Sequence, residues 1–281
     1  MKMLKTTFLL TGLTLILVIA GEYFGGFAGA LLAFAFSAAM NFFSYFYSDR
    51  IVLRMYRAQP ATRNELPRLF AVVEQLTVHA AIPMPKIYVI PTESPNAFAT
   101  GRDSHHASIV VTHGILALLN DDELEGVLAH ELGHVRNRDI LTSSIAATLA
   151  GAITILARMA FLFGGGRRRS GGFLSALLML LLAPVAATLI QLWVSRTREY
   201  EADASGAQLT GNPYALASAL EKISTVSRQV PLAASPSSAH LFIIAPLLPG
   251  QGWTGLFSTH PPIQERIQRL IGRTSVLGDR G

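Results

Sequence analysis

Hydrophobic positions along this chain fall into four long runs separated by polar segments. The runs cover residues 6–21, 23–47, 140–157 and 173–194, and none contains Asp, Glu, Lys or Arg. Three of them have the length, about 18 to 25 residues, with which a helix crosses roughly 30 Å of hydrocarbon, and the first is shorter. The pattern predicts two apolar helical hairpins in a membrane, the first turning at Glu22.

The polar segments carry the periodicity of a mixed helical and sheet structure. Apolar residues at helical spacing predict a helix near residues 66–76, and three short runs at 86–90, 96–100 and 107–112 predict a small sheet. Asn120 and Glu123 form a capping-box pattern, which predicts a helix from Asp121 through His134. Further helices are predicted at 196–209, 213–226 and 261–271, with a loop at 231–255.

Composition agrees with a membrane protein. The chain is 51% hydrophobic and only 15% charged, which is too apolar for an ordinary soluble globule. Its net charge of +5 is explained by basic residues that flank apolar runs and does not indicate nucleic acid. The chain has no cysteine, so disulfides and thiolate ligands are excluded. A cleaved signal peptide at the N-terminus is an alternative to the first span.

The candidate chemistry begins with an H-E-x-x-H pattern, His130-Glu131-Leu132-Gly133-His134. On a helix, the i, i+4 spacing places both imidazoles on one face, where they can hold one metal ion. Glu131 could take a proton from an attacking water. Gly133 lowers helix stability by about 1 kcal/mol relative to alanine, which is tolerable where close approach to the site is needed.

A catalytic zinc site needs a third protein ligand. Glu199 and Asp203 share one face of the predicted helix and Glu201 points away from it, so Glu199 is the best candidate and Asp203 could orient a ligand histidine. A solvated acidic turn paired with Arg196 and Arg198 is the competing interpretation. The other histidines lack ligand spacing and are interpreted as surface or packed residues: His79, His105, His106, His113 and His240.

Four segments of the chain resemble the HtpX group of membrane metalloproteases, distant relatives of the CAAX prenyl proteases. They are HELGHVRNRD at 130–139, SRTREYEADA at 195–204, THPPIQERI at 259–267 and NAFATG at 96–101. The resemblance extends from the N-terminal hairpin to Leu270. It implies an α+β, mainly α-helical, membrane-embedded zincin-like protease with one Zn²⁺ per chain.

The resemblance also implies roles for individual residues. Glu199 would be the third zinc ligand and Asp203 its helper. His260 and Arg266 would approach the site to bind substrate or the developing oxyanion, although from sequence alone His260 is interpreted as a helix-cap residue.

Residues Asn96, Ala97, Phe98 and Ala99 resemble the family's edge strand, on which a substrate adds as an extended strand.

The resulting organisation is an N-terminal hairpin at 1–50, catalytic segments at 51–139 and 195–281, and a second membrane hairpin at 140–194. The expected function is hydrolysis of peptide bonds in membrane or membrane-proximal polypeptides, with membrane lipids as surroundings. The resemblance implies that these substrates are damaged or misfolded membrane proteins. A prenyl-protein protease is an alternative, but four apolar segments are too few for a large intramembrane chamber. A zinc-binding scaffold would not need Glu131, and a channel or transporter would need ionisable residues in the spans.

Charge predicts the topology. Lys2 and Lys5 precede the first hairpin and Arg50, Arg54 and Arg57 follow it, which favours the cytoplasmic side for the catalytic segments. The resemblance implies that the membrane is a bacterial inner membrane. The zinc is expected close to the membrane surface, on helices that continue the spans. The basic loop at 167–169 disagrees, because it would lie outside if both later runs cross.

Overall fold

The computed structural model describes residues 2–150, 196–232, 234, 238–244, 246 and 261–272. Most of the predicted second hairpin, the basic loop at 167–169 and His260 lie outside these residues. The helices are α1 (Lys2–Met55), α2 (Pro67–Ala80), α3 (His113–Leu118), α4 (Asp121–Arg136), α5 (Ile140–Ala150), α6 (Arg196–Thr210), α7 (Pro213–Gln229) and α8 (Ile263–Ile271). The strands are β1 (Gln59–Pro60), β2 (Lys86–Ile90), β3 (Ala97–Gly101) and β4 (Ala107–Thr112).

Helix α1 is interrupted at Gly26, where the chain reverses direction. Gly26 has φ 58° and ψ −154°, a conformation that glycine adopts without steric cost. The side-chain amide of Asn41 donates a hydrogen bond of 3.0 Å to the Thr14 hydroxyl. In a straight helix these two residues would lie about 40 Å apart. The expected turn at Glu22 is therefore wrong by four positions, since Glu22 remains helical and the break falls on Gly26.

Within the described residues, one helical stretch, Gly25–Met55 with 31 residues, is long and apolar enough to cross a membrane. Two shorter apolar helices are Leu10–Tyr23 and Ile140–Ala150. Large apolar side chains of α1 face outward, among them Phe27 at 84% exposed and Leu32 at 72% exposed. Such a surface is costly in water.

The sheet has the order β1-β2-β4-β3, with β2 and β4 parallel and the other pairs antiparallel. The three predicted strands are present, with the second shifted by one residue to Ala97–Gly101. Strand β1 was not predicted, because two residues carry no periodicity. All six residues of β4 are buried, and β3 lies at the edge of the sheet.

One hydrophobic core joins the elements before and after the gap at 151–195. Side chains from α2, the sheet, α4, α7 and α8 share it, including Leu69, Ile109, Leu128, Leu220 and Ile267. Polar contacts also join these elements at the start of α4, where the predicted capping box is present between Asn120 and Glu123. Glu123 also accepts hydrogen bonds from Ser218 at 2.6 Å and Lys222 at 2.8 Å. These bonds attach α7 to the beginning of α4.

Helix α4 does not run straight into the next apolar helix. It ends at Arg136, and a turn at residues 137–139 precedes α5. Arg138 has φ 58°, which reverses the local direction and brings the Asp139 amide to within 3.0 Å of the His134 carbonyl oxygen. The site helix is thus followed immediately by an apolar helix, but with a sharp break between them.

Residues 238–244 were expected to be loop. In the structure this segment packs into the hydrophobic core. Phe242 is fully buried and contacts the rings of Tyr56 and Phe98, with centroids 5.0 Å away in both cases. The Tyr56 hydroxyl is hydrogen bonded to Ser238. The Ile243 amide donates to the Ala97 carbonyl oxygen at 2.9 Å. This segment is therefore fixed at both ends against α1 and β3.

Candidate metal centre and active site

The structure brings His130, His134 and Glu199 together. The two Nε2 atoms lie 3.3 Å apart. The Glu199 oxygens lie 3.9 Å from His130 Nε2 and 3.6 Å from His134 Nε2. Ligands around a tetrahedral zinc with bonds of about 2.0 to 2.1 Å lie about 3.3 to 3.4 Å apart. The donor set therefore fits a zinc ion, with small adjustments at Glu199.

A close approach of α4 and α6 makes this geometry possible. A Cβ atom added to Gly206 of α6 would lie 2.9 Å from the His130 backbone nitrogen, so only glycine allows this contact. The approach places Glu199, two helical turns earlier, next to the histidines. Gly133 is different, because a Cβ there would meet Ser205 and Ala202 at 3.4 and 3.5 Å, an ordinary contact distance. The expectation that close approach requires Gly133 is therefore wrong.

The second ring nitrogen of His130 faces Asp203. Nδ1 lies 2.9 Å from Asp203 Oδ1, which fixes the orientation of the ring. Burial alone would raise the pKa of Asp203, but the charge and hydrogen bonds of Arg266 outweigh it and hold that pKa well below its usual range. Asp203 therefore stays an acceptor for the imidazole.

Arg266 is fully buried beneath the site. Its Nε and Nη2 donate to the two Asp203 oxygens at 2.8 and 2.7 Å, and Nη1 donates to the Ile243 carbonyl oxygen at 2.8 Å. The pKa of Arg266 is raised, because the nearby carboxylates outweigh burial, which alone would lower it. The family resemblance had implied that Arg266 contacts substrate or the oxyanion. The observed hydrogen bonds of Arg266 instead attach α8 to α6 and to Ile243.

A carboxylate also faces the second ring nitrogen of His134, and sequence reasoning missed it. Asp139 Oδ2 lies 3.6 Å from His134 Nδ1, and the Asp139 side chain is buried. Burial alone would lower the pKa of His134, but contact with Asp139 and the charges of Glu199 and Glu131 outweigh it, so the pKa is raised. Asp139 lies five positions after His134, a spacing that does not share a helix face, and the turn at Arg138 brings it back.

Glu131 lies beside the metal-binding group and is 2% exposed. Burial raises its pKa most, the two histidines oppose that effect, and the charge of Glu199 adds to it. A cavity at this site is lined by His130, Glu131 and His134 from α4 and by Ala99 from β3. A carboxyl whose pKa is raised is better suited to donating a proton after it has accepted one.

The candidate substrate strand is present at the edge of the sheet. Asn96 accepts from the Thr112 amide, so by antiparallel alternation the main chain of Ala97, Ala99 and Gly101 points away from β4. The side chains of Asn96 and Phe98 are buried in the core. The Ala97 carbonyl oxygen is bonded to the Ile243 amide and the Ala99 amide to the Glu131 carboxylate, and all five residues of β3 are buried.

Similarity to known proteins agrees with this geometry. The family model described as "Peptidase family M48" matches residues 63–274. A "Protease HtpX homolog" of Desulfatibacillum aliphaticivorans is 51% identical over 276 residues, which cover 96% of this chain and 89% of that protein. One of Syntrophobacter fumaroxidans is 53% identical, with 95% and 97% covered.

Among solved structures, the crystal structure of S. mikatae Ste24p is similar with a TM-score of 0.53 and 20% identity. The match covers 96% of this chain and 65% of that one, and at this identity it bears on the fold alone. The resemblance deduced from the four sequence segments is confirmed.

Proposed function

Because the chain belongs to peptidase family M48 and is a membrane metallopeptidase similar to the HtpX proteases, we propose that it is a zinc-dependent endopeptidase. The ligands of its single zinc are His130, His134 and Glu199. The observation that carries this assignment is the convergence of these three donors at 3.3 to 3.9 Å from two helices far apart in sequence.

Glu131 is the general base and acid of the reaction. Zinc, when bound, polarises the scissile carbonyl group and makes water more acidic. Glu131 takes the proton from the attacking water and later gives it to the nitrogen of the leaving amine. Burial, which raises the pKa of this carboxyl, suits it to the second of these transfers.

The residues behind the ligands hold the imidazoles in place. Asp203 orients His130, and Arg266 keeps Asp203 charged and fixed, so Arg266 is proposed as a positioning residue. Asp139 orients His134 in the same way. A role of His260 near the substrate stays a prediction from the resemblance, since this residue lies outside the described ranges.

Substrate binding is proposed along the outward edge of β3. An extended polypeptide would pair with the Ala99 carbonyl group and the main chain of Gly101, since the Ala97 carbonyl group is engaged by Ile243 and the Ala99 amide by Glu131. Asn96 and Phe98 would support the strand from the core without touching substrate, because their side chains are buried. Main-chain recognition of this kind accepts many sequences, as expected for a protease of damaged or misfolded membrane proteins.

The proposed location is the bacterial cytoplasmic membrane, with the site on the cytoplasmic side and lipid around α1 and the segment at 140–194. The exposed apolar surface of α1 supports the membrane part of this proposal. Arg50 lies over the Tyr47 ring at 5.4 Å and Arg102 over the Phe46 ring at 5.7 Å. Tyrosine and basic residues are both common where a helix leaves a membrane. They support a membrane surface near the end of α1.

The decisive experiment is Glu131→Gln in protein purified in detergent and loaded with zinc. The amide cannot accept a proton, so casein cleavage should fall by at least about a thousandfold, about 4 kcal/mol of barrier. Zinc content, measured by elemental analysis, should equal that of the unchanged protein. Cleavage within tenfold of the unchanged protein, with zinc bound, would contradict the assignment.

A matched pair tests the third ligand. Glu199→Gln should lower zinc occupancy, because a neutral amide is a poor zinc ligand, while Glu201→Gln should leave it unchanged because Glu201 is exposed on the other face of α6. Zinc retained by the first variant and lost by the second would reverse the choice of ligand.

A further inference from the structure

A third histidine lines the cavity that holds the proposed metal ligands and Glu131. His240 belongs to the short 3-10 turn Ala239–Leu241, and the cavity wall includes His240, Leu241, Phe242 and Ile243 opposite α4. Nothing in the sequence marked this residue, because it lies more than a hundred positions after His134 and has no ligand spacing.

The position of His240 is fixed by its neighbours. Ser238, Ala239 and Leu241 are buried, and Ser238 is hydrogen bonded to Tyr56. On the other side, Phe242 is packed between Tyr56 and Phe98. The imidazole is therefore presented to the cavity by a segment that is part of the hydrophobic core, and such rigidity is what an active-site donor requires.

The hydrogen bonding of His240 identifies which ring nitrogen carries a proton. Nε2 lies 3.2 Å from the Ser143 carbonyl oxygen, and a carbonyl oxygen can only accept, so Nε2 bears the hydrogen. Ser143 lines the same cavity. The N–H group therefore lies at the cavity wall, where an oxygen atom of a bound substrate could replace the Ser143 carbonyl as its acceptor.

We propose that His240 is a further catalytic residue, which donates a hydrogen bond from Nε2 to the carbonyl oxygen of the scissile peptide bond as negative charge develops on it. This inference rests on the proposed peptidase function. Attack of water on the carbonyl carbon moves the π electrons onto that oxygen, and an N–H donor held at the cavity wall stabilises the charge. The role requires no proton transfer by His240, so it differs from that of Glu131.

The test compares His240→Ala, His240→Gln and, as a control, His79→Gln, which lies on the exposed side of α2. Loss of one oxyanion donor typically lowers kcat by about 10² to 10³-fold. His240→Ala should lose this much kcat on a casein-derived peptide, with KM within about threefold and zinc content and Tm unchanged. His240→Gln keeps an N–H donor and should recover part of kcat, while the control should match the unchanged protein.

A second measurement separates catalysis from structure. A phosphinate peptide carries the tetrahedral, charged group of the transition state, so its Ki should rise in His240→Ala in parallel with the fall in kcat/KM. Binding of the uncleaved peptide to His240→Ala in the Glu131→Gln background should change little.

The outcomes of these measurements are distinguishable. An unchanged kcat or an unchanged phosphinate Ki in His240→Ala would overturn the inference, as would a loss explained by lower zinc content. If the unchanged zinc-loaded protein cleaves no better than Glu131→Gln, the proposed function fails instead.

Discussion

Each histidine of the proposed metal site has a carboxylate behind it, but the two carboxylates are held differently. Asp203 lies 2.9 Å from His130 Nδ1 and is locked by two hydrogen bonds from Arg266. Asp139 lies 3.6 Å from His134 Nδ1, at the turn between α4 and α5. A carboxylate in this position fixes the tautomer and increases the basicity of the ring. The shorter and better-anchored contact should therefore contribute more to metal affinity.

Replacing these carboxylates by amides tests that order. Asp203→Asn and Asp139→Asn should each weaken zinc binding by about 10 to 100-fold, with the larger effect at Asp203. Zinc Kd is measured by competition with a chelator, with Asp122→Asn, an exposed change on the same helix as His134, as the control. Asp203→Asn should also lower Tm, because it leaves the buried Arg266 charge with only the more distant carboxylate of Glu199, 3.8 Å away. Equal zinc affinity in Asp139→Asn and the control would remove Asp139 from the site.

The sequence predicted those site residues whose relative positions are set by local helix geometry. His130, Glu131 and His134 follow from helical spacing, and the capping box of Asn120 and Glu123 follows from two residues three positions apart. The contacts of Asp139 and His240 could not be predicted this way. They depend on a left-handed residue at Arg138 and on a short turn held by distant aromatic rings, and neither leaves a periodic signal.

At the scale of elements, the predicted helices and strands are present with ends shifted by up to four residues, while the short helix α3 was not predicted. The break in α1 was predicted at the wrong residue because the sequence has several glycines and one charged residue near the turn. Packing of the two helical halves decides which of them forms the break. Burial of residues 238–244 was missed because a short apolar run among Pro, Ser and Gly resembles a loop, while the structure uses it to complete the core beside β3.

The contact between α4 and α6 decides whether the metal ligands meet, and two glycines test it in opposite directions. Gly206→Ala would force a methyl group against the His130 backbone, 2.9 Å away, and should lower the free energy of unfolding by about 1 to 3 kcal/mol while weakening zinc binding. Gly133→Ala has room for the methyl group and should raise stability by up to about 1 kcal/mol through helix propensity.

Urea unfolding in detergent and zinc content measure both glycine variants side by side. Tolerance of Gly206→Ala, with zinc affinity intact, would show that the helices are further apart than described.

At the scale of the whole molecule, the proposed site is shared between parts of the chain on either side of residues 151–195. His130 and His134 precede that stretch and Glu199 follows it, so the chain must return to the side from which it left. If residues 140–194 enter the membrane, they cross it an even number of times. Helix α5 begins at Ile140, directly after Asp139, so the site lies close to the start of an apolar helix.

Topology is tested with a reporter enzyme that is active only outside the cytoplasm. Basic residues favour the cytoplasm, and the chain carries Lys2 and Lys5 before the first helical pair and Arg50, Arg54 and Arg57 at its end. A fusion after Arg57 should therefore be silent, whereas a fusion after Gly26, at the reversal of α1, should be active if both halves cross. Comparable expression of the two fusions is confirmed by immunoblot. Strong activity after Arg57 and silence after Gly26 would place the catalytic segments on the outer face. Silence of both fusions would mean that the two halves of α1 form a hairpin that does not cross, although its exposed apolar surface could still be covered by lipid from one side.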